Sequence, residues 1–389
     1  MNKRTILLPL LLLALIAVPP CALAEAPAAA EFAGGSIAYE DALTQYQSVQ
    51  RSYADLGIEE DPAILAQQVL TAMVEDAVLQ KKAGDLGLLT PGEAELTALQ
   101  ADAEAAHEAL ISYYIDFCAA EGMTADEARA ATEAYLADEG QSVQDLLDAR
   151  LADWWRSALY EYICGDIAVT EADVQGYYDT LVSTQQLQFA EDPTYFDYLY
   201  MNDDLIAYHP ENMRYIKHII IGFDEAMALT YESLVGEGRL ADADPEALDA
   251  LYSGLDDRVA EVLELLMQGE DFDALMRTHG DDGNMLYEPW STDGYIVREG
   301  SLLFVPEFTE AAFALQSVGD ISDPVRTAGG IHFILYVGDV PAGPVPLEEI
   351  RDAVAAEALN RMMSDAYDAQ VAAWVAEAAP VYHPEYLLQ

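Results

Sequence analysis

Two histidines stand in strand-like apolar runs. His218 falls in Tyr215-Ile216-Lys217-His218-Ile219-Ile220-Ile221, on the same alternate face as Ile216 and Ile220. His332 falls among Ile331, Phe333, Ile334 and Leu335. An imidazole donates from one ring nitrogen and accepts at the other. In an apolar strand it is either a satisfied core group or part of a hydrogen-bonded site, and each histidine taken alone fits the first reading better. Phe304 and Phe308 are spaced to line one side of an apolar slot, although large aromatics are more often plain core. Asp281 and Asp282 sit side by side in His279-Gly280-Asp281-Asp282-Gly283, a sequence that by itself reads as a solvated turn. Together these residue types would give an apolar slot beside a few polar groups.

The elements that must position them are legible. From Gly300 the chain reads GSLLFVPEFTEAAFALQSVGDISDPVRTAGGIHFILYV. Pro306 stops an apolar run, and a short helix from Glu307 presents Phe308, Ala312, Phe313 and Leu315. After the turn Val318-Gly319-Asp320, the segment Ile331–Val337 alternates with both faces largely apolar, as in a central strand. Upstream, Arg214 to Ile221 reads as a strand and Asp224 to Gln268 as helical, divided near Gly236 to Pro245.

The chain start has a basic pair, Lys3 and Arg4, an apolar run from Ile6 to Val18, and Ala22-Leu23-Ala24. This is the pattern of a secretory signal peptide over residues 1–24. Cys21 raises lipid attachment as the weaker alternative, because Val18-Pro19-Pro20 lacks the small residues expected directly before a lipidated cysteine. Residues 25–36 are small and Ala-rich and read as a flexible leader.

Residues 37–213 read as mostly helical. Leu65, Val69, Ala72, Met73 and Ala77 mark one apolar face, with Pro62 near the start of that helix. Thr90-Pro91-Gly92-Glu93 has capping-box spacing. Between Gln185 and Met213 lie Phe189, Tyr195, Phe196, Tyr198, Tyr200 and Tyr208. They fit a loop packing its rings on the helical region better than an exposed contact surface. Residues 346–389 supply a long C-terminal helix with Leu347, Ile350, Val354, Leu359 and Met362 on its apolar side.

The sequence has 17 Lys+Arg against 70 Asp+Glu, a net charge of −53. Such a field repels phosphate backbones and anionic headgroups, so nucleic acid is not an expected partner and any polypeptide partner would be neutral or basic. Beyond Cys21 only Cys118 and Cys164 remain. With no CxxC motif or Cys/His cluster, a metal or thiol-redox centre is not expected. The two thiols could be paired or free.

The segments FVPEFTEAAFAL, GDISDPVRT and GGIHFIL, in that order and spacing, with RYIKHIII as an opening strand, resemble a parvulin-type peptidyl-prolyl isomerase domain. The weaker pieces VLTAMVEDAVLQKKAGDLGL and GDIAVTEADVQGYYDTL resemble the chaperone part of PrsA/SurA-like extracellular foldases. This resemblance implies an α+β isomerase domain over 214–345, with a small, mostly antiparallel sheet, inserted into an all-α lobe built from 37–213 and 346–389. It implies that His218, His332 and Asp282 are the catalytic set, the histidines hydrogen-bonded to each other, and that Phe304, Phe308 and Phe313 bind substrate. Asp293-Gly294-Tyr295 and Gly329 depart from the family pattern, Gly329 in a way that would enlarge the site.

Rotation about an X-Pro bond meets a barrier of ~18–20 kcal/mol. No bond is broken, so no cofactor is needed. The catalyst must bind the twisted amide better than either planar form. The implied function is an exported foldase at the extracellular face of the membrane or in the periplasm, isomerising and holding proline-containing secreted chains, with a homodimer left open. The alternative is a non-enzymatic holdase with an inactive parvulin-like domain.

Overall fold

The computed structural model describes residues 27–235 and 244–388. The expected signal peptide, residues 1–24, and most of the break at 236–245 lie outside the described residues. In chain order come β1 (Ala28–Phe32), β2 (Gly35–Ala38), α1 (Tyr39–Asp55), α2 (Pro62–Asp85), α3 (Glu93–Cys118), α4 (Ala125–Asp138) and α5 (Val143–Cys164). Then follow α6 (Glu171–Glu191), α7 (Thr194–Met201), β3 (Tyr208–His209), β4 (Met213–Gly222), α8 (Glu225–Val235), α9 (Pro245–Tyr252), α10 (Asp256–Gln268) and α11 (Phe272–His279). The last elements are β5 (Tyr295–Arg298), α12 (Pro306–Ala314), β6 (Val325–Thr327), β7 (Gly330–Asp339), β8 (Gly343–Pro344), α13 (Leu347–Ala378) and β9 (Val381–Tyr382). The fold is α+β, mostly helical with a small antiparallel sheet. The chain divides into two compact units: one runs up to Ala168 and resumes at Leu359, and the other is Val169–Ala358.

The first unit is helical with a short sheet in the order β2-β1-β9. Residues 28–36 of the expected flexible leader instead belong to a β1–β2 hairpin whose first strand also pairs with β9 near the C-terminus. The small side chains that suggested flexibility are what allow it. Ala29 and Ala30 are fully buried and bring the strand backbone close against Leu70, Val74 and Leu387 in one core cluster.

Helix starts in this unit follow side-chain chemistry. Asp61 caps α2 through Ala63 N–H, with Pro62 at the first helical position. Thr124 and Ser142 close capping boxes on α4 and α5. The box expected at Thr90 does not form, because α3 begins at Glu93 with Gly92 as its N-cap. Cys118 and Cys164 are both free thiols.

The second unit is built on a four-stranded antiparallel sheet ordered β5-β4-β7-β6. The two interior strands are the two apolar runs that carry the histidines. One face packs Ile219, Ile221, Ile331 and Phe333 against α9, α10 and α11. The other packs Ile216, Val297, Ile334 and Tyr336 against Phe308 and Ala312 of α12.

The aromatic stretch 185–213 is not a loop. It continues α6, forms α7 and then enters β3 and β4. Phe189, Phe196, Leu199, Met213 and Val340 make their own buried cluster within the second unit. The rings therefore pack at the end of the sheet rather than on the helical lobe. Their sequence was read as a loop because Pro193 interrupts it, yet that proline sits at the junction between α6 and α7, where its fixed φ starts the next helix.

Candidate active site: a histidine pair under an aromatic wall

In the β4–β7 register His218 faces Ile334, and Ile220 faces His332. The two histidines are therefore diagonal neighbours on one sheet face, within reach of each other's side chains. Their rings lie edge to edge, centroids 5.1 Å apart with 14° between planes, and Nδ1 lies 2.9 Å from Nδ1. Both are buried.

The loop after α11 brings in the carboxylate, and the adjacent aspartates divide the work. Asp281 anchors the loop: its N–H donates to Ile220 O at 2.9 Å, and its carboxylate accepts from Gly222 N–H and from Arg258. Asp282 faces the histidines, with Oδ2 2.7 Å from His218 Nε2. Its Oδ1 accepts from Asn284 N–H at 2.9 Å, which caps the short turn Gly283–Leu286.

Two further residues complete the chain, and sequence reasoning gave neither a role. The Tyr295 hydroxyl donates to Asp282 Oδ2 at 2.9 Å. Thr327 Oγ1 lies 2.8 Å from His332 Nε2 and also accepts from Gly329 N–H. The signals were present: Tyr295 is the first residue of β5 and Thr327 the last of GDISDPVRT. In the sequence Tyr295 marks only a departure from the family pattern. Gly294 before it has φ +87° and lies so close to β4 that a Cβ would fall 2.6 Å from Ile216 O. Only glycine permits that approach.

These contacts constrain where the protons sit. Burial pushes the Asp282 carboxyl up, but the His218 hydrogen bond and charge, the Tyr295 hydroxyl and Asn284 N–H outweigh it and hold the group at about 2. Near neutral pH Asp282 is a carboxylate and only accepts, so His218 donates from Nε2. Burial, and then the neighbouring His218, hold His332 down at about 3, so His332 is neutral. The facing Nδ1 atoms of His218 and His332 share one hydrogen bond, and His332 Nε2 continues the chain to the Thr327 hydroxyl. Burial, and to a smaller degree Asp282, raise the Tyr295 phenol, which stays protonated as the second donor.

The aromatic wall stands over this chain. Phe308 meets His218 and His332 edge-on, at 5.4 Å from each. Phe304 stacks on Phe308 at 5.3 Å, Tyr295 is 5.6 Å from Phe304, and Trp290 is 6.0 Å from Tyr295. Phe308 is only 3% exposed, while Phe304 is half-buried. The surface available to a ligand is therefore Phe304 with the exposed Leu302 and Val305 beside it. Phe313 lies apart from the histidines. Its ring sits 4.8 Å from the Arg214 guanidinium, which also donates to the Ala312 and Leu315 carbonyls at the end of α12.

The loop that carries Phe304 is held by α7. Asp197 forms a buried pair with Arg298 at 2.8 Å and accepts from Leu302 N–H at 2.9 Å. Gly329 leaves no extra room. A Cβ there would lie 3.2 Å from Ile220 Cδ1, so isoleucine already fills the space that a bulkier residue would take.

Such a site offers an apolar wall beside oriented, mostly neutral hydrogen-bond groups. The geometry agrees with the family comparison. Residues 245–338 match the family model of the PPIC-type PPIase domain, the rotamase family. At the family level this part of the chain matches a parvulin-type domain. β4 with His218 precedes the matched stretch and completes its sheet.

Over longer spans the chain is similar to PrsA from Bacillus subtilis, at 18% identity and a TM-score of 0.23, covering 92% of this chain and 93% of that one. It is similar to the peptidylprolyl isomerase PrsA from Bacillus anthracis, at 16% identity and a TM-score of 0.22, covering 79% and 95%. A SurA-like chaperone structure from Campylobacter jejuni aligns at 15% identity with a TM-score of 0.23, covering 72% and 91%. No curated protein matches the chain. The functional reading rests on the family match and the site.

Proposed function

We propose that the protein is an exported foldase that catalyses cis–trans isomerisation of X-Pro bonds and holds unfolded chains while they fold. The observation that carries this is the oriented chain Thr327–His332–His218–Asp282 beneath Phe308 and Phe304, inside a PPIC-type domain. Twisting an amide reduces its charge separation, so an apolar wall favours the twisted form over either planar one. His218, His332 and Asp282 act by fixing the floor of the site, and Phe304 with its neighbours receives the proline ring. Clients would be proline-containing secreted or envelope proteins outside the cytoplasm. The apolar run Ile6–Val18 before Ala22-Leu23-Ala24 supports export, with lipid attachment at Cys21 as the lesser route. Among the described residues, no helix is long and apolar enough to cross a membrane.

The burial of Phe308 favours a second reading, a holdase whose isomerase domain binds without turning over. A protease-coupled assay on a proline-containing tetrapeptide separates the two. Turnover well above the uncatalysed rate, lost in the Phe304→Ala variant, supports the enzyme. Binding of unfolded protein with no turnover supports the holdase.

A further inference from the structure

The tip of the α3–α4 hairpin carries a cluster of rings that the packing of the first unit does not use. Tyr113 is 78% exposed and Phe117 74% exposed. They join Tyr114 and Tyr135 in a continuous group. Tyr113 meets Tyr114 edge-on at 4.8 Å, and Tyr135 lies 5.6 Å from both Tyr114 and Phe117. Met123, in the connecting loop, adds a further exposed apolar side chain. Residues 110, 113, 114 and 117 share one face of α3, and their spacing matches a packed helix face. Here that face ends in solvent.

The hairpin beneath is firmly built. Ile111, Ala128, Thr132 and Leu136 are buried, and the capping box at Thr124 fixes the start of α4. Arg129 bridges the helices, donating to Glu108 and Glu133. The rings are thus presented by a rigid support and are not a frayed end. Exposed aromatic clusters of this kind mark interaction sites.

Charge decides the kind of partner. From residue 110 to 140 the sequence has seven acidic side chains, among them Asp116, Glu121 and Asp126, against the single Arg129. That arginine is already held by two glutamates. The patch therefore shows ring faces and carboxylates with no free cation among them. Ring faces attract guanidinium and ammonium groups, and carboxylates add to that attraction. The same charge repels a second copy of this patch and an anionic lipid surface.

We propose that the Tyr113–Tyr114–Phe117–Tyr135 cluster is a docking site for unfolded polypeptide segments in which lysine or arginine alternates with aromatic or aliphatic residues. This deepens the foldase reading and rests on it. It gives the holding function a location remote in sequence from the isomerase domain.

The test uses the full mature chain and two synthetic 15-residue peptides, one alternating Arg with Phe and Leu, the other with Glu in place of Arg. Fluorescence anisotropy measures binding, and the tetrapeptide assay is run on the same samples. Wild type binds the basic peptide at least tenfold more tightly than the acidic one, and added salt weakens that binding. The double variant Tyr113→Ser, Phe117→Ser loses at least tenfold in affinity, with unchanged helix content and tetrapeptide turnover. Glu121→Lys, which keeps the rings, weakens binding of the basic peptide several-fold. Unchanged affinity in the double variant, or equal binding of both peptides, overturns the proposal. So does loss of self-association on sedimentation as the only effect of the variant, or binding to anionic vesicles alone. If tetrapeptide turnover and suppression of aggregation are both absent in wild type, the foldase reading itself has failed. That result is distinct from a working foldase whose variant behaves as wild type.

Discussion

The Tyr295 hydroxyl and His218 Nε2 converge on one atom, Asp282 Oδ2, at 2.9 and 2.7 Å. A carboxylate oxygen has room for both donors, and each lowers the cost of keeping the charge half-buried. Tyr295 is thus a positioning residue. It holds Asp282 anionic, and Asp282 holds His218 with Nε2–H turned to the carboxylate.

Tyr295→Phe keeps the ring in the aromatic wall and removes only the hydroxyl. Asp282 should then titrate above its present value of about 2. A hydrogen bond to a charged group contributes about 1.5–3 kcal/mol, so a measurable drop in the melting midpoint is expected. Turnover should fall several-fold, because the histidine tautomers are less firmly set. NMR titration of the Asp282 carboxyl in both proteins checks this. An unmoved Asp282 pKa would show that Tyr295 does not support the carboxylate.

Phe304 and Phe308 should separate. Phe308 is buried against both imidazoles, so truncation to alanine should cost about 3–5 kcal/mol of stability and also disorder the histidine pair. Phe304 is half-buried, and its alanine variant should stay folded while losing most of its turnover. Each ~1.4 kcal/mol of lost transition-state binding slows the step about tenfold. Thermal melts and kcat/KM on the same preparations distinguish them. A Phe304→Ala variant with normal turnover would move the proline pocket elsewhere.

The arrangement of the candidate site was largely legible because its parts sit on strongly patterned strands. His218 and His332 interrupt period-two apolar runs, and antiparallel pairing of those runs makes them diagonal neighbours. The choice of Asp282 over Asp281 was not legible. Both precede Gly283 in one loop, and it is the bonds of Asp281 to Ile220 O and Gly222 N–H that show which of them is the anchor. The pairing of β1 with β9 was hidden for another reason. It joins residues some 350 positions apart, and composition reports nothing about contacts at that separation. Phe313 shows the limit of helical spacing. It follows Phe308 by five residues, which turns it toward Arg214 and away from the pair.

Acid should weaken the second unit through His332. Its folded value is about 3 against an ordinary 6.5, so between these values the unfolded chain binds more protons. The contribution of His332 is therefore fully present above about pH 6.5 and is lost as pH falls toward 3. Asp282 adds a loss of the same sign between 3.8 and about 2. Protonating other carboxylates relieves repulsion in a chain of net charge −53 and acts oppositely. The clean measure is the difference between wild type and His332→Gln in urea midpoint at pH 7, 5 and 4. The stability difference should shift in favour of the variant as pH falls. A difference independent of pH would mean that His332 is not held neutral.

The last prediction concerns where the isomerase unit begins. The parvulin-like motifs all fall within 214–345, yet the compact unit is Val169–Ala358. The distinction has an energetic content. Arg298 lies on β5, only about a tenth exposed, and its carboxylate partner Asp197 lies on α7. The Tyr200 hydroxyl accepts from Ile296 N–H, and Phe196 packs in the cluster that includes Met213 at the start of β4. A fragment starting at 214 removes Asp197 and leaves a guanidinium with its buried partner gone. Breaking such a pair costs about 3–5 kcal/mol, a large part of the stability of a domain this size. It also frees Leu302 N–H, and with it the loop that carries Phe304. Fragment 169–358 should therefore fold with a sharp urea transition and retain tetrapeptide turnover. Fragment 214–345 should melt many degrees lower and turn over more slowly even where folded, because Phe304 is no longer held in place. Replacing Arg298 with methionine in the short fragment should restore part of the stability but not the turnover, since the unpaired charge is gone while the loop stays loose. Equal melting and equal kcat/KM for the two fragments would show that α6 and α7 are accessories to the isomerase unit and not part of it.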